Sequence, residues 1–142
     1  MKLQVLKIGQ EGISGYDQVV VNQPDNLELS HVIDNSCEII LASDILDLFH
    51  PRNTLAVLQS LSSKLRLGGY LIVGGTDVRL FAKSVMNGLL TDIEASSVSS
   101  ETYAMSSMEF VKEMLLKLNL KIFSVHIDGL HYEIKVVRKN GL

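Results

Sequence analysis

Cysteine is almost missing from this 142-residue chain. Its one residue, Cys37, cannot close an intramolecular disulfide or build a thiolate zinc site. A lone thiol fits a reducing compartment, and a cytoplasmic location is expected. Excess positive charge is also missing. Thirteen Lys and Arg against sixteen Asp and Glu leave a net charge of −3, which argues against an electrostatic grip on nucleic acid or an anionic membrane. No apolar run approaches the roughly 18–20 residues that span a bilayer. The apolar part of the first seven residues is too short for a secretory signal. Proline is scarce (2), tryptophan is absent, and there is neither a low-complexity segment nor a repeat. No G-x-G-x-x-G opens a helix after the first strand, which argues against a dinucleotide-dependent dehydrogenase. What is present is 46% hydrophobic and 20% charged, the balance of a globular protein, and one domain over 1–142 is expected.

The most informative stretch is Leu65-Arg66-Leu67-Gly68-Gly69-Tyr70-Leu71-Ile72-Val73. Before it, Leu55, Leu58, Leu61 and Leu65 recur at the helical period across 54–66. Lys64 and Arg66 suit the negative end of that helix, and Gly68 suits a left-handed closing position. A buried strand over 70–74 follows. Upstream, 3–8, 18–22 and 38–42 read as strands, with a further short strand near Leu27-Glu28-Leu29 and a short helical turn over 43–49. Downstream, Thr76 or Asp77 can cap a helix through Val78, Phe81, Val85 and Leu89. The serines of 96–100 read as a mobile loop. Ser106-Ser107-Met108-Glu109 reads as a capping box, with Met105 and Phe110 as its hydrophobic staple. Strands at 120–127 and 132–137 flank Asp128-Gly129, a hairpin signal. The order predicts an α/β fold with a mostly parallel sheet and a C-terminal antiparallel hairpin. Only residues 9–17 separate the first two strands. A helical parallel crossover needs about a dozen, so the first crossover helix is expected to be reduced or missing.

Several segments share a family pattern. Asp34-Asn35-Ser36-Cys37-Glu38-Ile39-Ile40 resembles the entry to the fourth strand of class I SAM-dependent methyltransferases, and Ala42-Ser43-Asp44-Ile45-Leu46-Asp47 resembles the segment after it. The 65–73 stretch resembles their helix–glycine–strand junction, and Gly75-Thr76-Asp77 the end of that strand. The opening Leu6-Lys7-Ile8-Gly9-Gln10-Glu11 and Gly15-Tyr16-Asp17-Gln18-Val19-Val20-Val21-Asn22 is similar to that of compact predicted members. The resemblance covers nearly the whole chain. It implies a Rossmann-like class I methyltransferase fold, S-adenosylmethionine (SAM) as cofactor, and methyl transfer to a small or medium acceptor, for example of sugar type. It places Ile8, Gly9, Gln10 and Gly12 at the methionine part of SAM, Asn22 at the ribose, Glu28 or Asn26 at the adenine, and Ala42, Ser43 and Asp44 at the floor of the site.

Two residues depart from the pattern. Glu11 stands where a second glycine lets the backbone approach the cofactor, and Asn22 is neutral where an acid accepts from the ribose. They motivate a second reading, a methyltransferase-like domain without catalysis that serves as an interaction or scaffold subunit. Asp44, Asp47 and His50 fall where acceptors bind in the family, so Asp44 and His50 are the catalytic candidates, His50 as a general base. The plainer reading makes the aspartates helix-turn residues and packs His50 beside Pro51. His126 and His131 flank the hairpin turn with no third ligand in view, so they read as exposed hairpin histidines and no metal site is expected. A shortened first crossover would leave one sheet face bare, and parallel strands are rarely left open to water. A homodimer or a partner protein is expected there, unless 23–36 covers the face with Leu27, Leu29, Val32 and Ile33.

Overall fold

Aliphatic and β-branched residues concentrate in six segments, and these pair into one sheet. The computed structural model describes residues 1–139. Its strands are β1 (Lys2–Lys7), β2 (Asp17–Val21), β3 (Cys37–Ala42), β4 (Leu65–Thr76), β5 (Leu120–Asp128) and β6 (His131–Arg138), and its helices are α1 (Thr54–Lys64), α2 (Val78–Met86), α3 (Asp92–Glu101) and α4 (Met108–Leu116). The strand order is β2-β1-β3-β4-β6-β5. The first four strands are parallel; β6 runs antiparallel to both β4 and β5. This is the expected mostly parallel sheet with an antiparallel terminal hairpin.

Register sorts side chains onto two faces, because neighbours along a strand point to opposite sides. Leu3, Ile40, Leu71 and Val136 form one cross-strand row, and all are buried. Val57, Leu58 and Leu61 of α1 and Val111 and Leu115 of α4 belong to the same core. This is the inner face. On the outer face the rows are Lys2–Ile39–Tyr70–Val137 and Gln4–Leu41–Ile72–Lys135. Among the described residues no helix packs there: α1 and α4 lie against the inner face, and α2 and α3 contact mainly each other. The missing first crossover helix is the cause, since residues 8–16 form only turns. That short loop folds over Gln4, whose amide donates to the Glu11 carbonyl at 3.3 Å and accepts from the Ile13 N–H at 2.7 Å. Further across, the Lys135 ammonium lies over the rings of Tyr70 and Phe123, at 4.1 and 4.8 Å.

The 23–36 segment does not cover the outer face. Leu29 and Val32 join the inner core, Ile33 is exposed, and the N–H groups of Asn35 and Ser36 donate to the carbonyls of Ser63 and Lys64 at the end of α1. No strand forms at 27–29. The serines of 96–100 lie inside α3, not in a loop. A capping box starts that helix: Thr91 Oγ1 accepts from the Glu94 N–H, and the Glu94 carboxylate accepts from the Thr91 N–H, both at 3.1 Å. The cap of α4 is shifted by one residue. Ser107 Oγ accepts from the Phe110 N–H at 3.1 Å, while the buried Ser106 hydroxyl has no partner. Gly68 does not close α1, which ends at Lys64 with Leu65 already extended. Its φ of +79° serves the bulged entry of β4, where Cys37 pairs with Leu65 but Ile39 with Tyr70.

Candidate functional site

From β1 the chain steps outward to β2 and then crosses back to β3 on the other side of β1. In open α/β sheets such a reversal leaves a crevice at the carboxyl ends of the two strands, and ligands bind in it. On the β1 side the crevice is edged by a tight turn. The Gln10 N–H donates to the Lys7 carbonyl at 3.2 Å, and the Gln10 side-chain oxygen accepts from the Lys7 N–H at 2.9 Å. Gly9 lies in that turn with φ +88°, and a Cβ there would meet nothing within 4 Å. The backbone is open to an approaching ligand.

On the β3 side Ala42 is buried and Ser43 Oγ donates to Glu133 Oε1 at 2.8 Å. Asp44 follows at φ 59°, ψ 7°, a left-handed conformation that costs a non-glycine residue roughly 1–2 kcal/mol. Its carboxylate lies 3.2 Å from His131 Nδ1. Asp47, three residues on, is only 6% exposed. One of its oxygens accepts from the Thr76 N–H at 2.6 Å and the other from Thr76 Oγ1 at 3.0 Å. Lys7 Nζ stands 3.7 Å from the latter. Burial pushes the Asp47 carboxyl above the ordinary range, against the opposing pull of the Thr76 N–H and of Lys7. One buried carboxylate therefore ties the end of β3 to that of β4, with the Lys7 ammonium of β1 beside it.

Beside it opens a pocket of about 330 Å³ lined by Asp44, His126, Asp128, His131, Tyr132 and Glu133. That volume is at the lower end of small-molecule sites. Three carboxylates make the lining acidic, so the pocket favours a cationic or hydrogen-bond-donating occupant. Tyr132 is 1% exposed, and its hydroxyl has no partner among the described residues. Burial, then Asp47, Asp77 and Asp44, raise the pKa of that phenol.

No family model matches the chain, and no curated protein matches it. Solved structures do. A protein of Pyrococcus horikoshii superposes with a TM-score of 0.62 at 14% identity, over 98% of this chain and 83% of the other. A SAM-dependent methyltransferase from Archaeoglobus fulgidus gives 0.59 at 12% identity, over 96% and 86%. Another from Methanosarcina mazei gives 0.57 at 12% identity, over 92% and 70%. The chain has the class I methyltransferase fold.

Within the methyltransferase fold the sequence candidates divide. Gly9, Gln10, Ala42, Ser43 and Asp44 come to one end of adjacent strands, with Ile8 (69% exposed) beside them and Asn22 exposed just past β2. Gly12 lies against the Gln18 amide, which a Cβ there would displace. Glu28 is exposed and accepts from the Ser30 N–H in its own turn. His50 belongs to a separate network: its Nδ1 accepts from the Arg52 N–H, and its own N–H donates to Asp25 Oδ1 at 2.8 Å. Asp25 also accepts from Asn53 and from the Tyr103 hydroxyl, the latter at 2.6 Å. The Tyr103 hydrogen bond leads in lowering the Asp25 pKa to about 2. The histidine beside Asp44 is His131, not His50. Sequence reading missed Lys7, Thr76, Tyr132 and Glu133, because each reaches the site only through sheet pairing. Asp47 did carry a signal, standing where the resembled segment has Glu, but nothing local told of its burial.

Proposed function

We propose that the chain is a SAM-dependent methyltransferase acting on a small acceptor that carries hydroxyl or amine groups. The observation that carries this reading is the reversal of strand order between β1 and β3, with the open Gly9 turn on one side and Ser43–Asp44 on the other. The residues present fit the cofactor: the Gly9 backbone is free to be approached, the Asn22 carboxamide is exposed, and the neighbouring lining is acidic, as a sulfonium with an ammonium group requires. SAM supplies an electrophilic methyl group for in-line displacement by the acceptor. The protein's own contribution is positioning. Gly9 and Gln10 receive the methionine end, Asn22 accepts one hydrogen bond from the ribose, and Asp44, Asp128 and Glu133 accept from the donors of the acceptor. A sugar-type acceptor, rich in hydroxyl donors, suits that lining. Buried Cys37 as a free thiol supports a cytoplasmic setting.

Calorimetry with SAM and with S-adenosylhomocysteine tests the reading. Asn22→Asp restores a charged ribose acceptor, worth roughly 1 kcal/mol more than a neutral one, and should tighten binding by about fivefold. Glu11→Gly should tighten it too, by reopening the loop. No binding by the parent up to millimolar ligand, with no gain in either variant, defeats the reading.

The bare outer face favours a second reading, an interaction subunit whose partner is another copy of this chain. At about 4.8 Å between strands and 3.3 Å per residue, the paired part of the face measures roughly 24 by 18 Å. Its rows set Lys2, Gln4 and Lys135 beside aliphatic and aromatic residues, and such mixed rows can complement themselves across a twofold axis. Sedimentation over a range of concentrations decides: a monomer throughout, together with SAM binding, removes this reading.

A further inference from the structure

We propose that Asp44, Asp47 and His131 bind a divalent transition-metal ion in the wall of the strand-end pocket. One ligand atom from each of the three lies within 4.8 Å of the others. The Asp44–His131 pair is already at 3.2 Å. Donors about 2.0–2.2 Å from an ion stand roughly 3–3.5 Å apart in tetrahedral or octahedral coordination. One pair therefore has the required spacing, and the other two, which span up to 4.8 Å, close by at most about 1.3–1.8 Å. The side chains of Asp44 and His131 are partly exposed and free to make that adjustment. Asp47 is not free and need not be, because Thr76 holds both of its oxygens in place. This is the division of labour a metal site needs, with one ligand fixed by its neighbours and two that close on the ion.

Two observations distinguish the cluster from ordinary surface acids. The first is Tyr132, which lines the same pocket, is 1% exposed and leaves its hydroxyl without a partner. A buried unsatisfied hydroxyl calls for an explanation. A water or substrate oxygen carried by the ion would give it a partner. The second is Lys7, whose ammonium stands 3.7 Å from Asp47 Oδ2. That is too long for a hydrogen bond. The lysine is a loose counter-charge that a doubly charged ion can displace.

The donor set selects the class of ion. Calcium takes six to eight oxygens and magnesium keeps mostly water, whereas one imidazole with two carboxylates suits zinc or manganese. Three protein ligands leave positions open, and two of the three, Asp44 and His131, line a pocket together with His126, Asp128 and Glu133. An open site of this kind binds an exchangeable ligand, unlike a closed four-ligand structural zinc. Asp44 is shared with the site proposed for methyl transfer, but Asp47 and His131 are not, and because metal binding and SAM binding are measured separately either reading can fail alone.

The test is a titration of the full chain with Zn²⁺ and, separately, Mn²⁺ by calorimetry, and with Co²⁺ by visible absorption. One ion per chain is expected, with cobalt bands typical of mixed nitrogen and oxygen ligands. Asp44→Asn and His131→Ala should each weaken binding at least about tenfold. Both should leave the metal-free unfolding midpoint unchanged, and His31→Ala should leave the affinity unchanged. Absence of saturable binding up to millimolar metal overturns the proposal. So does undiminished affinity in both ligand variants, or Ca²⁺ binding as tightly as Zn²⁺.

Discussion

The two faces of the sheet are built from the same strands and have opposite fates. On β4, Leu71 is sealed under α1, while Ile72, one residue on, lies on the face with no helix above it. The inner face gains its stability from helices brought by the long crossovers between β3 and β4 and between β4 and β5. Its outer counterpart lost that option when the β1–β2 connection shrank to a turn. It makes do with what the strands and that turn carry: Gln4 bonded to the 8–16 loop and Lys135 over two aromatic rings. A half-covered sheet can persist because β-strand side chains still pack on their cross-strand neighbours.

The sharpest way to break this comparison is to truncate adjacent residues. Leu71→Ala should cost about 2–5 kcal/mol, the range for a fully buried leucine. Ile72→Ala should cost less than half as much, and chemical denaturation of both variants measures the gap. Equal costs would mean that the outer face is covered in solution, and self-association would be the first explanation to check. The inner cover can be loosened at its edge. Ser107→Ala removes the cap of α4 and should cost about 1 kcal/mol. Ser106→Ala, which removes an unpartnered hydroxyl, should cost less; the reverse order would place the cap at Ser106.

Acid provides a third comparison, because Asp25 and Tyr103 strap the 23–36 segment to the segment leading into α4. The Asp25 pKa falls from 3.8 to about 2 on folding. The stabilisation is therefore fully present above the unfolded value and is lost as the pH drops from about 4 toward 2. The carboxylate is solvent-accessible, so screening reduces the gain to about 1 kcal/mol or less. Tyr103→Phe should lose stability at pH 7 and flatten the acid limb between pH 4 and 2. Equal pH profiles for parent and variant would show that the strap is open in solution. On the outer face, Lys135→Ala should cost only about 0.5–1 kcal/mol, the worth of an exposed cation–π contact. A larger loss would show that the lysine also supports the sheet itself.

The strands, the last helix and the hairpin were legible because their signals are local: period, caps and turn residues. The shortened first crossover was legible from counting residues. The serines of α3 were not, because a helix with no buried residue shows no apolar period; its only local signal was Thr91 and Glu94 three apart. Half of the candidate site could be read, namely the Gly9 turn and Ser43–Asp44. The other half depends on β6 lying beside β4. Thr76 pairs with His131, which brings that imidazole to a carboxylate 87 positions earlier, and no spacing rule reaches so far. His50 drew attention because it is close in sequence to Asp44, and sequence neighbours past a strand end turn away from one another readily.

The position of β6 bears on how the protein is made. It follows β5 in the chain yet lies between β5 and β4, so β5 has no backbone partner while the ribosome is still adding the residues of β6. Until then Phe123, 66% exposed even in the finished fold, belongs to an unpaired strand of the kind that aggregates. Synthesis at about 5–20 residues per second makes that interval brief. Refolding from denaturant opens the same interval, and slowing the docking of β6 there should lower the refolded yield.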